Sequence, residues 1–192
     1  MKLYGTTTSP FVRRVRIVAE EVGEPIDRID TATDDGMAQL REVTPIRRVP
    51  VAVIGKTTLF DSRAIIERLF MTHGHGGLTP PTDRWHETNV VNAIDAALDA
   101  VIQLFYLRRD GVAIDGTPYA TRQLERADAI FAWLGTQHLS TVQLGLAEIS
   151  LVCALDWMDF RKTYPTDRAE GVAAVRAAWA DHPSVAATRP HS

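Results

Sequence analysis

The spacing of apolar positions changes once along this chain, from short strand-and-helix alternation to sustained helical spacing. Lys2-Leu3-Tyr4 reads as a strand and Gly5 to Thr8 as the loop leaving it. Ser9 suits an N-cap and Pro10 a first helical residue, where a missing N–H costs nothing. Phe11, Val15, Val18 and Val22 then recur at helical spacing, and Gly23 stops the run. Ile26 to Ile29 reads as a second strand and Gly36 to Glu42 as a short helix. Val51 to Ile54 and Thr57 to Phe60 flank Gly55-Lys56, the spacing of a hairpin. Asp61-Ser62 opens a helix carrying Ile65, Ile66, Leu69 and Phe70 on one side. The predicted order is βαβαββα.

Glycines and prolines from His73 to Pro81 then mark a linker. Beyond it the period is helical throughout. Predicted helices cover Trp85 to Arg109, Pro118 to about Leu139, a stretch starting near Gly145, and about Asp167 to Ala180. The expected division is an α/β domain over 1–73, a linker over 74–84 and an all-helical domain over 85–192.

Composition narrows the class. Apolar residues make up 45% and charged residues 23%, as in ordinary soluble domains. A net charge of −3 gives no basic stripe for nucleic acid. Arg13, Arg14, Arg16, Arg47 and Arg48 are local basic spots, either solvated surface or a lure for a small acidic ligand. The single cysteine, Cys153, excludes an internal disulfide framework and reads as a buried thiol. His73 and His75 have no third ligand type nearby, so they read as linker residues and no metal is expected. No apolar run approaches the ~20 residues of a membrane span, and no leader pattern is visible. The expectation is a cytoplasmic protein with neither membrane nor nucleic-acid partner.

Three positions carry candidate chemistry. Ser9 stands at a helix start, where it either only caps or helps hold an anion against the free N–H groups. Val49-Pro50 directly precedes a strand, where a cis bond would make a tight turn and open the Val49 backbone to a ligand. Asp61-Ser62 puts an acid and a hydroxyl at a second helix start, with capping as the plain alternative. A fourth signal concerns folding only. Gly145 with Glu148 forms half a capping box, and Leu144 with Ile149 is spaced as a hydrophobic staple.

Taken together, Ser9-Pro10-Phe11-Val12-x-Arg14-Val15, Arg48-Val49-Pro50 and Asp61-Ser62-x-Ala64-Ile65 resemble the glutathione transferase family, in its plant tau-class pattern and a group of bacterial members. The late His182-Pro183-Ser184-Val185-Ala186-Ala187-Thr188-Arg189-Pro190 is similar to the tails of those bacterial members. The resemblance implies a thioredoxin-like N-terminal domain followed by an all-helical C-terminal one. It implies Ser9 as the catalytic serine that hydrogen-bonds the glutathione sulfur, and Val49 beside Pro50 as the backbone contact for the cysteinyl part. Asp61 and Ser62 would grip the γ-glutamyl amino and carboxylate groups, and Arg48 the glycyl carboxylate.

The implied reaction is conjugation of the glutathione thiolate to a small hydrophobic electrophile, with glutathione as co-substrate and no other cofactor. A homodimer is implied as well. Serine at position 9 disfavours thiol transfer, which needs cysteine there. Phe11, Phe105, Tyr106 and Trp157 are candidates by type and position for the electrophile pocket. The alternative is a non-catalytic protein of the same fold that binds apolar ligands or a protein partner. This chain departs from the family pattern in Gly145 and Glu148, in Asp61 where glutamate is commoner, and in the hydroxyls of Thr6, Thr7 and Thr8 crowding Ser9.

Overall fold

The computed structural model describes residues 1–191 and divides them into two units, Met1–Pro80 with the segment from His182 onward, and Pro81–Asp181.

The first unit runs β1 (Lys2–Tyr4), α1 (Pro10–Glu21), β2 (Asp27–Ile29), α2 (Asp34–Val43), β3 (Val51–Ile54), β4 (Thr57–Phe60) and α3 (Ser62–His73), the expected thioredoxin-like order. The four strands lie in the order β2-β1-β3-β4. β1 is parallel to β2 and antiparallel to β3, and β3 is antiparallel to β4. The hairpin forms as read, with Val51 opposite Phe60 and Ile54 opposite Thr57 around Gly55-Lys56. Strand alternation gives the sheet two faces. Tyr4 and Val51 pack with Leu40 of α2, joined by Ile29, Met37 and Val53. Leu3 and Ala52 point the other way and are also fully buried.

Two local expectations shift. α2 begins earlier than Gly36, because the Thr33 hydroxyl caps it by accepting from the Gly36 N–H at 3.1 Å. Apolar spacing could not show this, since the first large apolar side chain in the helix is Met37. The buried face of α1 consists of Val12, Val15, Ile17, Val18 and Ala19, whereas Phe11 and Val22 are only half-buried. Arg13 and Arg14, read as basic spots, are 1% and 3% exposed.

Arg13 explains where the chain ends up. Its Nε donates to Thr188 Oγ1 at 3.3 Å and its NH2 to the Val185 carbonyl at 3.0 Å. Thr188 in turn donates to the Ser184 carbonyl at 2.8 Å. A last short helix, α8 (Pro183–Ala187), thereby docks on α1 with Val185 fully buried. The segment from His182 thus joins the α/β unit rather than the helical one expected over 85–192.

The second unit contains α4 (Arg84–Arg109), α5 (Pro118–Leu134), α6 (Leu146–Arg161), a 3-10 turn (Thr166–Ala169) and α7 (Glu170–Trp179). Asp83 and Thr117 cap α4 and α5 through side-chain oxygens, and α5 stops at Gly135, short of the expected Leu139. α4 packs on both α5 and α6. α6 is the core helix, buried almost continuously from Ala147 to Leu155 and including Cys153. α5 and α7 meet at Gly135 and Gly171, where a methyl group on Gly171 would lie 3.0 Å from the Gly135 Cα.

The start of α6 is a polar knot. Gly145 has no side chain to offer, so Glu148 serves two backbone donors, Gly145 N–H at 3.0 Å and Ser140 N–H at 2.9 Å. Glu87, reaching over from α4, accepts from the Leu146 N–H. Burial, and secondarily the charge of Glu148, push the Glu87 carboxyl up to about 7, against the pull of that hydrogen bond.

Candidate functional site

Sheet register brings the three candidate segments to one end of the sheet. Tyr4 lies opposite Val51, and Val51 lies opposite Phe60. These three residues form one row at the edge where β1 ends, β3 begins and β4 ends. The loop Gly5–Ser9, the turn Arg48-Val49-Pro50 and the step Asp61-Ser62 are each attached directly to that row. Residues separated by more than forty positions in sequence thus share one rim.

Each segment has a defined local shape. Gly5 allows the chain to leave β1 tightly against α1, since a Cβ there would sit 2.3 Å from a Val12 methyl. Ser9 caps α1, its Oγ accepting from the Val12 N–H at 3.3 Å, and Pro10 occupies the first helical position. Ser9 is half-buried, and its hydroxyl proton is not used in the cap. Thr6 and Thr8 pair through their hydroxyls at 3.4 Å. The Val49-Pro50 bond is cis, with Val49 half-buried and Arg48 exposed.

Asp61 is the unusual residue. It caps α3 by accepting from the Arg63 N–H at 2.9 Å, yet its backbone holds φ 77 and ψ 128. Non-glycine residues rarely adopt this region, and such geometry clusters at functional sites. The carboxylate is 57% exposed, with Arg63 Nε 3.6 Å away. Next to it Ser62 is 2% exposed, its Oγ accepting from Arg14 Nε at 3.0 Å and Arg14 NH2 at 2.7 Å. Arg14 therefore ties the helix that Ser9 caps to the helix that Asp61 caps. Its guanidinium also lies 5.1 Å from the centre of the Phe11 ring. Sequence reading missed this arginine as a site component, although its place one turn beyond Ser9 in the α1 motif was a usable signal.

In the helical unit, Phe105, Tyr106 and Trp157 form one aromatic group. Phe105 meets Trp157 edge-on at 5.6 Å and Tyr106 at 5.4 Å. Trp157 is buried, Phe105 half-buried and Tyr106 48% exposed. Arg161, which the sequence did not single out, stacks over Phe105 at 5.3 Å and Phe160 at 4.8 Å. The linker histidines have structural partners. His73 Nε2 lies 3.0 Å from Glu24, and the His75 ring stacks on Phe70 at 4.2 Å. The bond from the N-terminal ammonium, more than the histidine, holds the Glu24 carboxyl below the usual carboxylate range.

A thioredoxin-like βαβαββα unit with a four-stranded mixed sheet, followed by a helical unit, is the architecture of glutathione transferases. Residues 3–80 match the family described as the glutathione S-transferase N-terminal domain. Among curated proteins the chain is similar to the uncharacterized GST-like protein YibF of Escherichia coli, 29% identical over 175 residues covering 86% of this chain and 85% of that protein. It is also similar to glutathione S-transferase 4 of Zea mays, 31% identical over 116 residues covering 55% of this chain and 52% of that one. Among solved structures, a glutathione transferase family member from Pseudomonas fluorescens Pf-5 with bound glutathione superposes with a TM-score of 0.86 at 22% identity, covering 100% of this chain and 99% of that one. A glutathione S-transferase from Methylobacterium radiotolerans in complex with glutathione sulfonate gives 0.82 at 21% identity, covering 100% and 95%. Residues 3–80 thus match the N-terminal domain of the glutathione S-transferase family, and the chain shares the fold of these solved structures.

Proposed function

We propose that this protein is a serine-type glutathione transferase that joins the glutathione thiolate to a small hydrophobic electrophile. The observation that carries the reading is the convergence of Ser9, Val49-Pro50 and Asp61-Ser62 at one end of the sheet. The tripeptide's chemistry matches that rim. Its sulfur would accept from the Ser9 hydroxyl, whose cap bond leaves the proton available. A thiol with a pKa of about 8.5 is only slightly ionised at neutral pH, so a donor at the sulfur raises the nucleophile's concentration. Val49 would pair with the cysteinyl backbone beside Pro50. The γ-glutamyl ammonium would meet Asp61, its carboxylate Ser62 at the start of α3, and the glycyl carboxylate Arg48. Phe105, Tyr106 and Trp157 of the helical unit supply apolar surface suited to an aromatic electrophile.

Homodimerisation is part of the proposal. A shallow apolar hollow of about 350 Å³ on the helical unit is lined by Ala93, Ala129, Ile130 and Trp133, with Arg126 at its rim. Trp85 on α4 is 75% exposed. Sedimentation equilibrium should give twice the 21.2 kDa chain mass, and a single-chain mass would refute the dimer.

Retention on immobilised glutathione and turnover with an aryl halide test the enzymatic reading. Ser9→Ala should lower kcat on the order of 10²-fold with little change in glutathione affinity, because the bond strengthens as the thiolate forms. An unchanged rate would remove Ser9 as the activating group. Retention without turnover across a panel of electrophiles would favour the non-catalytic alternative.

A further inference from the structure

The loop that carries Ser9 leaves the sheet at Gly5, and β2 holds both backbone groups of that glycine. Its N–H donates to the Ile29 carbonyl at 3.0 Å, one rung past the Tyr4–Ile29 pair. In a parallel ladder the Gly5 carbonyl would next accept from the Thr31 N–H. β2 ends at Ile29, however, and the chain turns at Asp30 toward α2. Arg28 supplies the donor from the side, its NH1 donating to the Gly5 carbonyl at 3.1 Å. Asp30 Oδ2, 3.2 Å from the same nitrogen, steadies the guanidinium. With side chains 30% and 39% exposed, that ion pair contributes little by itself. The bond to Gly5 is the consequential one, because Gly5 is buried and a carbonyl left without a partner there costs about 1–3 kcal/mol.

We propose that Arg28 is a positioning residue for Ser9: by fixing the Gly5–Thr6 peptide from the neighbouring strand, it sets where the Ser9 hydroxyl meets the thiol sulfur. The inference rests on the glutathione reading above and deepens it, since a side chain that touches no part of the ligand then governs how far the thiol ionises. Without Arg28, the Gly5 carbonyl recovers a partner most readily by rotation of the Gly5–Thr6 peptide, which glycine resists less than any other residue. Thr6 is the residue that holds Ser9. Its carbonyl accepts from the Ser9 N–H at 3.4 Å, and its hydroxyl pairs with Thr8 at 3.4 Å. Rotation therefore displaces the hydroxyl, and a misplacement of about 1 Å is enough to cost most of an aimed interaction. The contacts proposed for the two ends of the tripeptide lie on other segments and stay in place. Arginine keeps its charge at every pH a protein survives, so a change in the pH profile belongs to the thiol.

The test follows the ultraviolet absorbance of the thiolate in glutathione bound to the full chain as pH is raised, after circular dichroism has confirmed each fold. In wild type the bound thiol should ionise about one pH unit or more below the ~8.5 of a free thiol. Arg28→Met should give back at least half of that difference. Its calorimetric Kd at about pH 5.5, where the thiol stays protonated, should change less than about twofold. Arg28→Lys, which keeps a charged donor on a long stem, should stay nearer wild type, and Arg28→Gln carries the test if the methionine variant does not fold. In a Ser9→Ala background, where no hydroxyl remains to be aimed, Arg28→Met should add no further shift. A further shift there, or an Arg28→Met thiol that ionises as in wild type, would overturn the proposal and leave Arg28 a structural residue. A wild type that does not bind glutathione, or binds it with the thiol ionising no lower than free, would instead overturn the reading of the site.

Discussion

Asp61 and Glu148 both stand at the start of a helix, and the two carboxylates are spent in different ways. Glu148 is 7% exposed, with one oxygen on Gly145 N–H and the other on Ser140 N–H. Asp61 is 57% exposed, gives one oxygen to the Arg63 N–H, and sits on backbone held at φ 77. A buried carboxylate whose oxygens both satisfy backbone donors belongs to the fold. One kept in costly backbone geometry at an open rim, with acceptor capacity to spare, is suited to a ligand. The same residue chemistry therefore serves stability in the helical unit and, on our reading, recognition in the α/β unit.

Three substitutions sharpen this contrast. Glu148→Ala leaves one buried and one half-buried N–H group without partners and should cost about 2–4 kcal/mol, read from urea denaturation, with glutathione affinity unchanged. A parallel fall in glutathione affinity would break the division of labour. Asp61→Gly should act in the opposite sense on the two properties. Glycine tolerates positive φ, and at an N-cap it loses only a few tenths of a kcal/mol, so stability should rise by about 1 kcal/mol. Glutathione binding should weaken by about 1–3 kcal/mol as the ammonium loses its partner. If binding survives, Asp61 is only a cap.

The smallest effect belongs to Glu87, whose carboxyl sits at about 7 in the folded protein against an ordinary 4.5. Between those values the folded chain holds a proton that the unfolded chain has released, so stability falls as pH rises through this window. For a half-buried group partly screened by water, about 1–2 kcal/mol should be lost across it. Glu87→Gln keeps an acceptor for the Leu146 N–H and should flatten the slope in denaturation curves at pH 4.5, 6 and 8. A slope unchanged in the variant would assign it to another group.

Much of the architecture was legible because the signals are local. Val51 to Ile54 and Thr57 to Phe60 carry their own pairing in the two-residue interval between them. Pro10 and Asp61 announce helix starts by type alone. What escaped reading depends on partners far away in sequence. A guanidinium is ordinarily solvated, and the bonds to Val185 and Thr188, far along the chain, show Arg13 to be a buried anchor. For Arg14 the sequence leaves solvated surface and a lure for an acidic ligand both open, and the fold places it against Ser62. The short α8 has a proline at its first position as its main signal, and too few residues for a period. At the site, residue types and helix starts were readable, but the convergence of three segments on one rim follows from strand register, which no single segment encodes.

The central claim is that this one end of the sheet holds glutathione, and an amide NMR titration of the uniformly labelled full chain tests it most directly. Saturating shifts should concentrate at Gly5 to Val12, Arg47 to Val51 and Ser62 to Arg63, and the amides of Ser140, Gly145 and Leu146 at the α6 start should stay still. No saturating shift at millimolar glutathione, or a map centred away from those three segments, would contradict the account.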